Sequence, residues 1–285
     1  MLINGQALLD VANANDFAVP AFNISDYAMM NGIFEISEEK KSPVIIAIHP
    51  DELSHIGTDM LHSIIARAHR STVPVTIHLD HGASYEQVLT AIQAGFTSVM
   101  IDGSMLPLEE NIALTKRVVE TAHAVGLSVE GELGTIGKLD EEAEAGGEII
   151  YTKPDEAVRF VAETGVDSLA IAIGTSHGLY PSTLKPKLRL DLLEQIKAKV
   201  EIPLVLHGGS NNPDDEIGQA VTIGINKINI SSDIKAAYHQ KMREVLTDAG
   251  AREPNTIQPP SIAAMKVVAA QKIDLFNAAG KASLY

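Results

Sequence analysis

The chain alternates between short apolar runs and longer stretches with a helical repeat. Apolar runs of four to eight residues, rich in β-branched side chains, are typical of buried strands, and helices follow where apolar positions recur every three or four residues. Glycines that can act as helix C-caps stand before several of the apolar runs, at Gly95, Gly126, Gly165 and Gly224. The predicted strands span residues 17–24, 43–48, 74–81, 98–104, 128–134, 168–174, 203–209 and 227–233.

Strands that alternate with helices predict a parallel sheet. Eight such units in 285 residues predict an α/β fold, a (β/α)8 TIM barrel. No linker interrupts the repeat, so we expect one domain over residues 1–285. The pattern breaks at Pro254, Pro259 and Pro260, after which we expect an extra helix at about 261–279, within a C-terminal helical extension of about 259–281. That helix can pack across the barrel or against a second subunit.

Composition narrows the classes of function. The net charge of −15 argues against nucleic acid or an anionic membrane as a partner. No apolar run approaches a membrane span, and the first residues lack the features of a secretory signal. With no cysteine, any metal must bind to histidine and carboxylate side chains. These features fit a cytoplasmic protein.

Polar residues end nearly every predicted strand. In barrels of this class the C-terminal ends of the strands form the active site. So many ligand-type side chains around one rim predict a shared metal site. Read in order, these ends are Asn23, His49, Asp80, His81, Asp102, Glu132, His177, His207 and Asn229.

Three of these residues, His81, His177 and His207, together with an open position would suit a catalytic Zn2+. The alternative is three hydrogen-bonded histidines in the core or rim. Asp102 and Glu132 could orient the histidines or be ligands of a second metal position. Asp80, next to His81, is free for proton transfer.

Glycine- and serine-rich turns follow the last two strands. Loops after strands 7 and 8 that lead to a helix N-terminus bind phosphate in such barrels. Gly178 also allows a close approach of the backbone to a ligand. The turns are His207-Gly208-Gly209-Ser210 and Asn229-Ile230-Ser231-Ser232.

A Schiff-base aldolase needs a lysine that projects from a strand into the barrel. The sixth strand has no lysine, and Lys227 begins the predicted eighth strand, which places it at the opposite end of the barrel. Carbonyl chemistry in this protein is therefore expected to use the metal.

Motifs along nearly the whole chain resemble those of the class II, metal-dependent ketose-bisphosphate aldolases, closest to the tagatose-bisphosphate type. They stand in the family's order and spacing. They are Ala18-Val-Pro-Ala-Phe-Asn23, His78-Leu-Asp80-His81, Ser98-Val-Met-Ile-Asp102, Glu130-Gly-Glu132-Leu-Gly134, Asp167-Ser-Leu-Ala-Ile-Ala-Ile-Gly174, Ser176-His177-Gly178, Pro203-Leu-Val-Leu-His207-Gly208 and Gly224-Ile-Asn-Lys-Ile-Asn229.

The resemblance implies a zinc-dependent lyase that reversibly cleaves a ketose 1-phosphate or 1,6-bisphosphate, of fructose or tagatose type, into dihydroxyacetone phosphate and an aldehyde. It implies Zn2+ on the three histidines, proton transfer by Asp80, and a monovalent cation (Na+ or K+) near the donor phosphate. It also implies a homodimer or homotetramer. The residues expected to bind the substrate are Asn23, His49, Gly178, Gly208, Gly209, Ser210, Asn229, Ile230, Ser231 and Ser232.

The sequence departs from the family pattern at three places. In the loop after Glu132 the family usually has a catalytic glutamate that exchanges the proton of dihydroxyacetone phosphate, the donor substrate. This chain has Asp140 at that position, so the acid would be Asp140 or Glu141. His49 replaces a small hydroxyl residue that contacts the distal phosphate. Asn255 follows Pro254 where an arginine is usual, and Arg252 is the nearby substitute. Two of these changes fall on the distal phosphate, which favours an unphosphorylated or differently shaped aldehyde.

Three other functions remain open at this stage. One is an aldolase for a non-phosphorylated or sugar-acid-derived aldehyde, and another is a non-catalytic partner subunit of an aldolase. The third is a barrel metallohydrolase, which commonly has a His-x-His on its first strand, where this chain has Asn23.

Overall fold

The structure is a computed structural model that describes residues 1–135, 137–138, 150–180 and 186–285. Its strands are β1 (Val19–Asn23), β2 (Val44–Ile48), β3 (Val75–Gly82), β4 (Ser98–Ile101), β5 (Ser128–Leu133), β6 (Gly137–Lys138), β7 (Ser168–Ile171), β8 (Ser176–His177), β9 (Leu204–Leu206) and β10 (Ile225–Ile230). Its helices are α1 (Gly5–Ala14), α2 (Tyr27–Glu39), α3 (Pro50–Ile56), α4 (Met60–Arg70), α5 (Tyr85–Ala94), α6 (Leu108–His123), α7 (Pro154–Thr164), α8 (Leu190–Lys197), α9 (Asp214–Ile223), α10 (Ser232–Val245) and α11 (Pro254–Leu275), and a 3-10 helix spans Lys281–Leu284.

Eight parallel strands of the described residues close into a barrel in the order β1-β10-β9-β7-β5-β4-β3-β2. The short β6 and β8 pair with each other, and the other strands follow one another around the barrel in chain order, with β1 and β10 closing it. Every residue of β2, Val-Ile-Ile-Ala-Ile, is buried, because the strand packs against side chains inside the barrel and against helices outside it. The predicted (β/α)8 TIM barrel is confirmed.

Local sequence signals mark the ends of several helices. Asp26 caps α2 by accepting a hydrogen bond from the Met29 N–H, and Ser84 caps α5 in the same way. All four glycines predicted at helix ends have a positive φ, a conformation that glycine adopts without steric cost.

The predicted eighth strand is two to three residues too late along the chain. β10 spans Ile225–Ile230, and α10 begins at Ser232. Lys227 is therefore the third residue of β10, level with Val19 of β1, and its side chain points into the barrel. The prediction that it lies at the opposite end from the chemistry is wrong.

The C-terminal helix begins earlier than predicted. α11 spans Pro254–Leu275, so Pro254 occupies its first turn and Pro259 and Pro260 lie inside it. Packing against α2 and α10 of the same chain outweighs the low helix propensity of these prolines. Lys266 of α11, for example, forms ion pairs with Glu35 and Glu39 of α2. None of the helices within the described ranges has the length and apolar character that crossing a membrane requires.

Candidate active site

A cavity of about 720 Å³ opens at the C-terminal ends of the barrel strands. Most of the predicted site residues line it, at the ends of the eight barrel strands or in the loops that follow them. They are Asn23, His49, Asp80, His81, Asp102, Glu132, His177, Gly178, His207, Gly208, Ser210, Asn229, Ser231 and Ser232.

A local irregularity of β3 turns two adjacent side chains into this cavity. The pairing of β3 with β4 shifts its register between Leu79 and Gly82, and His81 has a φ of 50°. Neighbouring residues of a regular strand point to opposite faces. The left-handed backbone at His81 removes that constraint, so Asp80 and His81 both line the site.

Three imidazoles meet in the cavity. The ring centroid of His81 lies 4.9 Å from that of His177 and 4.4 Å from that of His207, and the last two are 6.4 Å apart. One nitrogen from each ring lies within 4.8 Å of the other two. This spacing fits three ligands of one metal ion.

The hydrogen bonds of His207 leave one nitrogen facing the site. Its Nε2 lies 2.8 Å from Oε1 of Glu130, a carboxylate that also accepts two hydrogen bonds from Lys227. The Nδ1 of His207 is buried and has no hydrogen-bond partner among the described residues. A buried ring nitrogen without a partner is costly unless something binds it, and a metal ion fits that requirement.

A second group of possible ligands consists of His81, Asp102 and Glu132, whose ligand atoms also lie within 4.8 Å of one another. His81 Nδ1 lies 3.0 Å from Asp102 Oδ2. Glu132 Oε2 is buried without a hydrogen-bond partner in the described part of the chain. Burial and the negative charge of Asp102 raise the pKa of Glu132 to about 8. A cation here would neutralise this crowded acidic group, so both positions fit a metal.

Asp80 is a buried carboxylate held by two amides. Asn23 Nδ2 donates to one carboxylate oxygen at 2.9 Å, and Asn229 Nδ2 donates to the other at 2.7 Å. Burial alone would raise the pKa of Asp80, but nearby positive charge, chiefly that of His81, outweighs burial and lowers that pKa below its usual range. The side chain is therefore a fixed, ionised group beside the imidazoles.

His49 lies on the rim and caps α3. The Nδ1 of its ring accepts a hydrogen bond from the backbone N–H of Asp51, and the backbone N–H of His49 donates to the Glu52 carboxylate. Glu52 also accepts hydrogen bonds from Asn23 and from Lys235 of α10. The sequence analysis missed Glu52 and Lys235, although the capping-box pattern of His49-Pro50-Asp51-Glu52 signals that the Glu52 side chain folds back onto the loop.

The turns after β8, β9 and β10 surround the other side of the cavity. Gly178 and Gly208 have φ values of 103° and 63°, which bring their backbone close to the open space. Ser210 and Ser231 lie beside them, next to the N-terminus of α10. An N-terminus of a helix together with hydroxyl groups and exposed backbone is a favourable environment for an anion.

Two predicted substrate contacts are not among the described residues that line the cavity. The Gly209 N–H donates to the Asn229 carbonyl, and an added Cβ at Gly209 would lie 2.4 Å from Ile228. Ile230 is fully buried, on the face of β10 opposite to Asn229. Gly209 packs against β10, and Ile230 belongs to the hydrophobic core.

The remaining predicted residues are not among those described at the cavity. Asp140 and Glu141 lie outside the described residues. The Arg252 side chain is 87% exposed beside Glu253 and is not among the described residues that line the cavity. Lys227 and Glu130, which the sequence analysis did not assign to the site, form a buried ion pair directly beneath His207.

Comparisons with known proteins agree with this geometry. The profile of the family described as fructose-bisphosphate aldolase class-II matches residues 3–281. The chain is similar to the YdjI aldolase from Escherichia coli K12, with 36% identity over 99% of this chain and 100% of that one and a TM-score of 0.88. It is also similar to a proposed fructose-1,6-biphosphate aldolase from Coccidioides immitis, with 28% identity over 99% of each chain and a TM-score of 0.90.

A third solved structure, the fructose-bisphosphate aldolase of Campylobacter jejuni, has 23% identity over 98% of this chain and 96% of that one. Its TM-score of 0.81 shows the same fold. The match of the family profile, the closed barrel and the histidine cluster lead to one conclusion: this chain belongs to the class II fructose-bisphosphate aldolase family, whose members are lyases.

Proposed function

We propose that this protein is a zinc-dependent aldolase that reversibly cleaves a ketose 1-phosphate or 1,6-bisphosphate into dihydroxyacetone phosphate and an aldehyde. The observation that carries the proposal is the buried Nδ1 of His207, which has no hydrogen-bond partner in the described part of the chain and lies close to two other imidazoles and 3.9 Å from Asp80. This arrangement places a possible metal ligand and a carboxylate in the same cavity.

His81, His177 and His207 would hold Zn2+, with Asp102 and Glu132 at a second position. When bound there, the ion supplies a positive charge that polarises a carbonyl group and stabilises negative charge on its oxygen. The set of imidazoles and carboxylates, with no thiolate in the chain, suits Zn2+.

The phosphate of dihydroxyacetone phosphate would bind at the turns after β8, β9 and β10. The backbone at Gly178 and Gly208 and the hydroxyls of Ser210, Ser231 and Ser232 offer hydrogen-bond donors. A monovalent cation, Na+ or K+, beside this phosphate would offset part of its charge in a protein whose net charge is −15.

Asp80 would move a proton at the hydroxyl or aldehyde oxygen of the bond that breaks or forms. Its two amide partners fix the carboxylate without blocking the lone pairs that face the cavity. Transfer by a positioned side chain typically contributes about 100- to 10,000-fold to a rate. Asp140 or Glu141 would exchange the donor's carbon-bound proton.

The aldehyde partner would lack a distal phosphate. Among the described residues that line the cavity, Lys235 is the one lysine or arginine, and Glu52 already pairs with it. His49 stands on the same rim, with Asp51 and Glu52 next to it in the chain. Such a rim attracts hydroxyl groups more than a dianion.

The donor half-reaction can be tested without knowing the aldehyde. Zinc-loaded protein is incubated with dihydroxyacetone phosphate in deuterated water, and loss of the carbon-bound proton is followed by NMR. We expect exchange that stops when a chelator removes the metal and returns when Zn2+ is added. Absence of exchange in folded, zinc-loaded protein would contradict the proposal.

The nature of the aldehyde is tested by comparing kcat/KM for a ketose 1-phosphate and for fructose and tagatose 1,6-bisphosphates. We expect the 1-phosphate to be preferred. A strong preference for either bisphosphate would overturn this part of the proposal, and a Lys235→Met variant would then show whether the Lys235 ammonium binds the distal phosphate.

A further inference from the structure

Lys227 and Glu130 form a buried ion pair inside the barrel, below the cavity. We propose that Lys227, acting through Glu130, is a positioning residue that determines which nitrogen of His207 faces the cavity and thereby sets the affinity of the site for its metal. The inference rests on the proposed role of His207 as a ligand.

The ion pair is sealed from solvent. The side chains of Lys227 and Glu130 are each 1% exposed. Lys227 Nζ lies 2.7 Å from one carboxylate oxygen of Glu130 and 2.9 Å from the other. The ammonium therefore holds both oxygens, which fixes the plane of the carboxylate.

The third contact of Lys227 assigns the state of His78. Lys227 Nζ lies 3.2 Å from His78 Nε2, and an ammonium group can only donate. His78 Nε2 must accept, so the proton of this ring lies on Nδ1, which donates to Ser98 Oγ at 2.8 Å. All three ammonium protons of Lys227 thus have acceptors.

The same reasoning assigns the state of His207. An ionised carboxylate only accepts hydrogen bonds, so Nε2 of His207, 2.8 Å from Glu130 Oε1, carries the proton. The lone pair then lies on Nδ1, the buried atom without a partner in the described residues. The side chain of His207 is fully buried, so water does not compete for this choice of tautomer.

This arrangement also argues against a covalent role for Lys227. A lysine that forms a Schiff base needs a free amine that reaches the substrate carbonyl. The Lys227 amine has all its protons engaged, and Lys227 is not among the described residues that line the cavity. Orientation of Glu130 is the role that its contacts support.

The test uses three variants. In Lys227→Met, Glu130 loses the partner that fixes its plane. In Glu130→Gln, the amide can either accept from or donate to His207, so neither tautomer is enforced. The double variant Lys227→Met/Glu130→Gln removes both charges of the ion pair together, which guards against loss of folding. Lys197→Met is the matched control, because Lys197 is a partly buried lysine that bonds Asn13 instead.

The first readout is the tautomer of His207 in metal-free protein, measured by 15N NMR of labelled histidine and assigned with a His207→Gln variant. We expect the proton on Nε2 in wild-type protein and in Lys197→Met. We expect a mixture of tautomers in Glu130→Gln and in the double variant. A proton on Nδ1 in the wild-type protein would overturn the proposal.

The second readout is Zn2+ affinity, measured by competition with a chromophoric chelator. Loss of a partner that orients a metal-binding histidine typically weakens binding about 10- to 100-fold. We expect that loss in all three variants and not in the control. Wild-type affinity in the folded variants would overturn the inference while leaving the proposed function intact.

Failure of the proposed function would look different. The wild-type protein would then bind no Zn2+ and exchange no donor proton, although its His207 still carried the proton on Nε2.

Discussion

At the scale of single residues, the site depends on how β3 delivers two neighbouring polar side chains. His81 takes a left-handed backbone conformation, which is uncommon for residues other than glycine, although histidine, like asparagine and aspartate, adopts it more often than most. This conformation puts Asp80 between Asn23 and Asn229 and leaves His81 beside the other imidazoles. In the proposed function, proton transfer and metal binding thus fall to adjacent residues of one strand.

Replacing Asp80 tests that assignment. Asp80→Ala removes the carboxylate but none of the proposed metal ligands, so we expect kcat to fall by about 100- to 10,000-fold with the Zn2+ stoichiometry unchanged. Steady-state cleavage and metal analysis of the same preparation measure both quantities. Asp155→Asn, an exposed carboxylate near Lys199, is the control. A variant that keeps more than a tenth of wild-type kcat would show that another group transfers the proton.

The residues around the site differ in how far the sequence revealed them. Side chains at the ends of strands could be predicted, because the change from an apolar run to a polar residue locates those ends. Glu130 and Lys227 could not, since their role depends on a contact between β5 and β10 that no local pattern specifies. A boundary error of two residues in β10 was enough to place Lys227 at the wrong end of the barrel.

At the scale of elements, the C-terminal helix supports the loop after β9. Lys272 of α11 is 11% exposed and lies 3.0 Å from Asp233 Oδ2. Asp233 accepts a hydrogen bond from the Asn211 N–H, and its own N–H donates to Ser210 Oγ. α11, which is additional to the eight strand–helix units of the barrel, therefore supports the turn after β9, one of the proposed phosphate-binding turns.

Removing this support should weaken donor binding. In Lys272→Met, Asp233 loses its cationic partner, so we expect the half-saturating concentration of dihydroxyacetone phosphate in the exchange reaction to rise about three- to tenfold, the equivalent of roughly one hydrogen bond. The maximal exchange rate should stay within about twofold. Lys266→Met on the same helix pairs with α2 instead and serves as the control. Equal half-saturation in the two variants would exclude this role for Lys272.

A second contact between elements gives a pH dependence of stability. Arg67 of α4 donates two hydrogen bonds to Glu38 of α2, and these bonds lower the pKa of Glu38. A carboxyl whose pKa is lower in the folded state stabilises the fold above its unfolded pKa, and that stabilisation is lost as pH falls through the folded pKa.

We therefore expect Glu38→Gln to reduce the free energy of unfolding by about 1 kcal/mol at pH 7, after allowance for solvent screening. The difference from wild type should shrink below about pH 4.5. Urea unfolding of both proteins at pH 7 and pH 3 measures it. A difference that is as large at pH 3 as at pH 7 would mean that the charge of Glu38 does not contribute.

The bounds of helices could be predicted where residues typical of helix ends occur in the sequence. The glycines after α5, α6, α7 and α9 located the C-terminal ends of those helices. α11 could not be bounded, because its prolines indicate a break and the packing that overrides them, such as Met265 against Gly32 of α2, is a tertiary contact.

At the scale of the whole molecule, the repeat of strand and helix was sufficient to predict the barrel, since few architectures accommodate eight such units. The closed barrel gathers side chains from residues 23 to 235 around one cavity. The barrel architecture predicts that the side chains at the strand ends converge, but it does not specify their hydrogen-bond partners, which became known from the three-dimensional arrangement.

Metal binding should stabilise the whole barrel, because its proposed ligands come from β3, β8 and the loop after β9. Zn2+ at about 100 times its Kd would add about 2.7 kcal/mol to the free energy of unfolding. Thermal unfolding with chelator and with added Zn2+ measures the shift in Tm. His207→Ala should abolish the shift, and His62→Ala, an exposed histidine of α4, should keep it. An equal shift in both variants would place the binding elsewhere.

The buried set beneath the cavity, Lys227, Glu130, His78 and His207, also restricts how related sequences can diverge. Replacing one member of a buried charged set leaves its partner without a counter-charge and lowers the free energy of unfolding by about 3–5 kcal/mol. Exchanging the whole set for apolar residues can be nearly neutral. Single-step mutational paths through these positions therefore pass through less stable proteins. We expect the four positions to be inherited together or replaced together, so that a lineage that loses His207, and the metal with it, becomes free to lose the lysine as well.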